Sequence, residues 1–252
     1  MNAPAQIAAN YVAIGKGKAN LPLGKMILLA ILAGAFIALA GVAATFGNIY
    51  VNKAMGAAIF PAGLAMVLLV GSELFTGNCL LVVPLLEKEI TLRQMVRNLV
   101  VVYLGNLVGG VLVSACVVYG GTLDAIAETV VATAVTKVGL SAGAMFLRGI
   151  LCNVLVCLGV WMGMAGKTVS SKIIGLFFPV FVFVICGYEH CIANMFYIPA
   201  GMMSAARAGI AAEGLHLLGF GRSLLFVTLG NIVGGAGLGA MYWAIYLKKK
   251  SV

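Results

Sequence analysis

Six stretches of this chain are each long and apolar enough to cross a bilayer, and that limits what it can fold into. They are Met26–Ile49, Ala58–Leu86, Leu99–Tyr119, Ser141–Ala165, Ile173–Pro199 and Ser223–Leu247. A helix needs about 20 mostly apolar residues to span the hydrocarbon core, where only a helix or a closed barrel satisfies its own backbone. With 63% of 252 residues hydrophobic and 9% charged, too little charge is present to cover a soluble surface. The expectation is an all-α integral membrane protein whose transmembrane domain covers residues 26–247. The net charge of +9 does not point to nucleic acid, because the basic residues stand singly between apolar runs, as membrane-flanking charges do.

The loops give an orientation. Lys16, Lys18, Lys25, Lys88, Arg93, Arg97, Lys167, Lys172, Lys248, Lys249 and Lys250 fall on one side, against Lys53, Lys137, Arg207 and Arg222 on the other. Only Arg148 lies inside a run. The richer side should be cytoplasmic, which places both termini there, including a basic tail at 248–252. No apolar run begins before Met26, so no secretory signal peptide is expected. Residues 1–25 differ from the rest. Ile7, Tyr11 and Ile14, with Ala8 and Val12 beside them, form one face of an amphipathic helix. Such a helix either lies at the cytoplasmic interface or caps a pore mouth.

The runs repeat. G-S-E-L-F-T-G-N (Gly71–Asn78) and G-Y-E-H-C-I-A-N (Gly187–Asn194) both read Gly-x-Glu-x-x-x-x-Asn, 116 residues apart. Y-L-G-N-L-V-G-G (Tyr103–Gly110) and T-L-G-N-I-V-G-G (Thr228–Gly235) match at an offset of 125. Two matched pairs in one order argue for two three-helix halves. Three spans is an odd number, so the second half enters the membrane the other way up, as an inverted 3+3 repeat. Gly105, Gly109, Gly110, Gly230, Gly234 and Gly235 suit close helix packing, and Asn106 and Asn231 suit hydrogen bonds across helices.

A carboxylate beside a glycine inside an apolar run signals a broken helix. Helices 2 and 5 are therefore expected to break, with Glu73, Asn78, Glu189 and Asn194 satisfying the exposed backbone. The half-helices that follow point their positive N-termini inward and favour an anion. The copies disagree in one place: the first offers Leu74, Phe75 and Thr76, the second His190. An intramembrane histidine carries a functional expectation, and its counterpart Leu74 could not serve as a brace. Thr76 would fix the histidine tautomer or meet the substrate. Phe60 and Leu64, one turn apart, and Phe183, seven residues before His190, would narrow the path on each side of the histidine.

The six cysteines all lie in apolar runs with no C-x-x-C pair. They read as buried small hydrophobes, without disulfide or metal site. With two histidines and no nucleophile–base pair, a membrane-embedded enzyme is the weaker class, and no cofactor is implied. His216 reads as a lone solvated residue in an outer loop, and a water or neutral-gas channel is a further rival.

These residues resemble the formate–nitrite transporter family. The resemblance rests on E-L-F-T-G-N, G-Y-E-H-C-I-A-N-M, the G-N-x-V-G-G pair and C-N-x-L-V-C-L-x-V-W-M (Cys152–Met162), in order over nearly the whole chain. It implies an aquaporin-like fold, a homopentamer with one pore per subunit in the plasma membrane, and passage of small monovalent anions such as formate, nitrite or hydrosulfide. It also implies that His190 is the central pore histidine and that Thr76 is the loop threonine bonded to it. Phe60, Leu64, Leu74, Phe75 and Phe183 would form two constrictions, with Lys137 and Asn153 attracting the anion from the outer vestibule. By composition alone, Lys137 reads only as an outer-loop charge. Glu73 and the Thr76-Gly77-Asn78 run depart from the Asp and Thr-Ser-Thr of formate channels, Cys191 stands where Ser is usual, and Arg148 resembles a Lys of the nitrite branch. These departures leave the anion open.

The mechanism expected is that of a weak-acid pathway. A bare anion faces a large desolvation cost between apolar rings. Proton donation at or near His190 lowers that cost, so formate flux should couple to the proton gradient at low pH.

Overall fold

A computed structural model of the chain describes residues 1–248, so the expected basic tail lies outside that range apart from Lys248. The described residues form helices α1 (Pro4–Ala19), α2 (Leu23–Tyr50), α3 (Lys53–Ile59), α4 (Pro61–Val70), α5 (Phe75–Asn78), α6 (Val82–Leu86), α7 (Leu92–Tyr119), α8 (Ala127–Gly139), α9 (Ala142–Ala165), α10 (Val169–Ile185), α11 (Cys191–Ala208) and α12 (Leu217–Tyr246). Short 3-10 turns join α5 to α6 and lead into α8. Five stretches are long and apolar enough to cross a membrane, counting Lys53–Val70 as one rod. The fifth expected run is divided between α10 and α11, and the second between α4 and the α5–α6 segment.

Local chemistry sets the starts. Thr91 and Gln94 form a reciprocal capping box on α7, Thr168 and Ser171 do the same on α10, and Ser141 accepts the Ala144 N–H on α9. Pro61 opens α4, where its missing N–H removes no helical bond. The two breaks begin alike. Gly71 and Gly187 hold φ of +85° and +69°, and the N–H after each reaches back five residues, Ser72 to Val67 and Tyr188 to Phe183. That is a left-handed helix stop, which glycine adopts without the penalty of a Cβ.

Packing follows the repeated glycines. Lipid is as apolar as leucine, so helices associate by close fit rather than by exclusion of water. Helix α7 lies along α2, and α12 along α9. A Cβ on Gly109 would run into the Ile31 carbonyl oxygen, and one on Gly234 into that of Ile150. Neither neighbour is a side chain that could swing aside.

Three expectations are corrected here. Lys137 is not on a loop: it sits near the end of α8, a 13-residue helix that the apolar-run count passed over because Glu128, Thr129, Thr133, Thr136 and Lys137 dilute its hydropathy. Cys116 and Cys186 are exposed on the helical surface, whereas Cys79, Cys152, Cys157 and Cys191 are buried; all six are free. His216 is exposed as expected, yet it also caps α12 by accepting the Gly219 N–H at 3.2 Å. Helix α1 buries Ile7, Ala8, Tyr11, Gly15 and Ala19, while Ile14 of the expected face is exposed. It is tied down by Asn2, which bonds the carbonyls of Met164 and Ala165, and by the Tyr11 hydroxyl on the Gly77 carbonyl.

Candidate functional site

Each break is closed by one asparagine from the neighbouring long helix. At the first, Asn106 accepts the Phe75 N–H at 3.0 Å and donates to the carbonyls of Glu73 (2.9 Å) and Ala30 (2.7 Å). At the second, Asn231 accepts the Cys191 N–H at 2.9 Å and donates to the carbonyls of Glu189 (3.0 Å) and Gly149 (2.7 Å). The Phe75 and Cys191 N–H groups and the Glu73 and Glu189 carbonyls are groups that a break orphans in hydrocarbon, the Ala30 and Gly149 carbonyls tie each asparagine to the helix alongside, and both side chains are fully buried. The sequence assigns this task to Glu73, Asn78, Glu189 and Asn194, but the Asn78 and Asn194 amides donate to side chains rather than to the breaks' backbone. The Glu73 and Glu189 carboxylates accept no backbone N–H and bind side chains instead.

The carboxylates anchor two matched polar clusters. Glu73 accepts Asn78 at 2.6 Å and Lys18 at 2.7 Å; Glu189 accepts Asn194 at 2.8 Å and Lys137 at 3.1 Å. Asn78 donates onward to Asn98, as Asn194 does to Ser223. Lys18 lies on α1 and Lys137 on α8, so the two short helices take corresponding places at opposite breaks. Each pair is largely buried, and a buried ion pair survives only with its remaining valences satisfied, as the asparagines do here.

Between the breaks Thr76 Oγ1 lies 2.9 Å from His190 Nε2. His190 Nδ1 accepts the Ala193 N–H at 3.0 Å, capping α11. That bond occupies the Nδ1 lone pair, so the neutral ring carries its proton on Nε2 and donates it to Thr76. The Thr76 carbonyl is held from behind by Asn153 at 3.1 Å, and Asn153 also donates to the Asn231 carbonyl at 2.7 Å. Asn153 is wholly buried with its amide nitrogen committed, a brace for the loop rather than a group facing a vestibule.

Two cavities flank this centre. One, of about 190 Å³, is lined by Lys137, Glu189, His190, Phe60 and Phe183 among others; the other, of about 340 Å³, by Tyr11, Lys18, Glu73, Leu64 and Leu74. A gap of about 10 Å³ lies between them, bounded by Ile37, Phe60, Leu64, Leu74, Val156, Val180, Phe183 and His190. His190 is the one polar side chain in that neck, whose size is about that of a single water. Phe60 meets Phe183 edge-on at 5.8 Å, and Phe183 stacks on the His190 ring at 5.8 Å. Phe75 is not among the residues bounding the neck; its ring packs edge-on against Tyr103 at 4.9 Å. A solute passing between the cavities must shed its hydration shell and meet a single N–H donor.

The sequence profile described as formate/nitrite transporter matches residues 5–245. The chain belongs to this family. A probable formate transporter of Methanothermobacter thermautotrophicus is 38% identical, covering 98% of this chain and 97% of its own. The formate channel FocA of Haemophilus influenzae is 42% identical over 73% of this chain and 71% of its own. Among solved structures, an FNT family ion channel superposes with a TM-score of 0.83 at 33% identity, covering 96% and 98% of the two chains. A pentameric formate channel with formate bound gives 0.76 at 33% identity, covering 90% and 98%. The transporter is thus a multi-pass membrane protein, and its relatives are channels and transporters rather than enzymes.

The transporter brings together Thr76, His190, Phe60, Leu64, Leu74 and Phe183, with Lys137 at the edge of one cavity. Sequence reasoning missed Lys18, Asn98 and Ser223, and gave Asn106 and Asn231 too small a part. The offset of 125 links two of them, Asn98 and Ser223, whereas Lys18 and Lys137 stand 119 apart, which is neither offset of the repeat.

Proposed function

We propose that this transporter passes small monovalent weak-acid anions, formate first among them, across the plasma membrane. The observation that supports this most directly is the neck: two cavities, each with a paired lysine, separated by apolar side chains around one imidazole N–H. A carboxylate oxygen replaces Thr76 as the acceptor of that N–H. The lysines and the half-helix N-termini raise the local anion concentration, and the neck favours the neutral acid, which crosses apolar surroundings at far lower cost. The formate bound in a solved relative, and the formate channels among its other relatives, favour formate. By the same likeness the transporter is a homopentamer with a pathway in each subunit, and the excess of Lys and Arg on one side of the membrane supports cytoplasmic termini.

Proton coupling acts through His190. As Nε2 hands its proton to the anion, Nδ1 takes one up from a hydronium ion entering by the Lys137 cavity, which requires it to release the Ala193 N–H, and the ring proton returns to Nε2 before the next anion arrives. The relay therefore opens the cap of α11 with each turnover. Purified protein in proteoliposomes, with formate influx followed from about pH 5 to 8, tests this reading. His190→Asn should flatten the pH profile; a profile that keeps its slope overturns the relay and leaves the anion pathway standing. Competition by nitrite, hydrosulfide and lactate ranks the substrates, and the absence of formate flux in the wild type rejects the reading as a whole.

A further inference from the structure

Tyr103 and Thr228 hold the same place in the two copies of the G-N-x-V-G-G motif, and their hydroxyl oxygens lie 2.9 Å apart. Here the two motif copies bond one another side chain to side chain, and both residues are half-buried. Each stands three residues before the asparagine that closes a break, hence on nearly the same face of its helix. Phe75 is consequently held twice by α7: Asn106 takes its N–H and Tyr103 its ring. On the other side Asn231 of α12, three residues after Thr228, takes the Cys191 N–H. Phe75 immediately precedes Thr76, and Cys191 immediately follows His190.

We propose that the Tyr103–Thr228 hydroxyl pair is a strut that sets the register of the two breaks, and with it the Thr76–His190 contact and the width of the neck. Tyr103 and Thr228 are thus positioning residues for size selectivity, although the cavity linings include neither. The chemistry is specific. Two hydroxyls in an apolar interior satisfy one another, and removal of either leaves the other without its partner and frees the ring against which Phe75 rests. A neck whose walls are less tightly held admits larger monocarboxylates.

This inference rests on the transport reading above, and the experiment separates the two. Y103F keeps the ring and removes the hydroxyl; T228V keeps the shape and removes the other. Formate and lactate influx are measured side by side in proteoliposomes for the wild type, each single variant and the double. Each single variant should raise the lactate-to-formate ratio roughly two- to tenfold, the scale of one hydrogen bond, and the double variant should exceed neither. A merely structural role would lower both fluxes together and leave the ratio alone. An unchanged ratio in both single variants, or additive effects in the double, overturns the strut. Should the wild type pass neither acid, the transport reading fails by itself. Amide exchange at Phe75 and Cys191 then decides the strut: faster in both variants if it exists, unchanged if it does not.

Discussion

Thr76 and His190 touch at 2.9 Å, yet they are not equivalent positions of the repeat: His190 matches Leu74, and Thr76 matches Ile192. The pairs that do match, such as Glu73 with Glu189 and Asn106 with Asn231, repeat one another's bonds. The scaffold is thus built twice, and the unmatched pair at the neck is where the copies were free to differ. Thr76→Val should leave the Nε2–H buried without an acceptor, at a cost of about 1–3 kcal/mol, whereas Thr76→Ser keeps the acceptor and stays near wild type. Thermal unfolding in detergent measures both, and equal midpoints would show that the hydroxyl does not hold the ring.

Asn106 and Asn231 should be the least replaceable side chains outside the neck. Alanine at either one strands one N–H and one carbonyl of a break in the membrane interior, each at about 1–3 kcal/mol. The expected result is little monodisperse protein from Asn106→Ala or Asn231→Ala, judged by size-exclusion chromatography. Asn98→Ala, which strands no break backbone, should be milder. Wild-type yield and melting temperature in Asn106→Ala would contradict this account of the breaks.

Much of this was legible because the membrane makes polar residues costly. Glu73, Glu189 and His190 stand out in apolar runs for that reason, and their spacing from a glycine located the breaks. What stayed hidden has a physical cause as well. Asn106 sits in a motif whose glycines already had a sufficient explanation in helix packing, and nothing local says that its amide reaches a break in another helix. Lys18 and Lys137 read as loop charges because α1 and α8 are too polar to register as spans, yet each lies against a break. Asn153 was placed in the vestibule by family likeness, and only the bond geometry shows it turned to the carbonyls of Thr76 and Asn231.

Glycine substitutions should separate backbone conformation from space. Gly71 and Gly187 have nothing within 4 Å of an added Cβ, but both hold positive φ. Gly71→Ala and Gly187→Ala should cost about 1–2 kcal/mol each, and Asn at either position less, because it tolerates the left-handed region. Gly109→Ala has an ordinary backbone and no room, so it should be worse than either. Melting temperatures ranked with Gly109→Ala mildest would reverse this argument.

Outside the spans, Asp124 accepts two hydrogen bonds from Arg207, both at 3.0 Å. Those bonds, ahead of the plain charge attraction, hold its carboxyl below the ordinary 3.8. A depressed value in the folded state means that the clasp contributes fully above 3.8 and is lost as pH falls through the lowered value. Both side chains are exposed to solvent, so the effect is small. In Asp124→Asn the part of the acid-side fall in melting temperature due to this carboxyl should vanish; an unaltered acid limb would show that the clasp is idle.

The two lysine–glutamate pairs allow a sharper comparison. Replacing one member of a fully buried pair costs about 3–5 kcal/mol, because the remaining charge has no counterion, while replacing both can be neutral. Gln at position 73 or 189 still offers an oxygen to Asn78 or Asn194, so the substitution isolates the charge. The Lys137 side chain is 15% exposed and that of Lys18 24%, and water reaching the stranded ammonium offsets the loss. Glu189→Gln should therefore destabilise more than Glu73→Gln, and both by less than the fully buried figure. Adding Lys137→Met to the first and Lys18→Met to the second should recover most of each loss. If the double variants melt no higher than the single ones, the lysines serve these sites through packing of their methylene stems rather than through charge, and the matched clusters are structural braces without an electrostatic part in drawing anions to the neck.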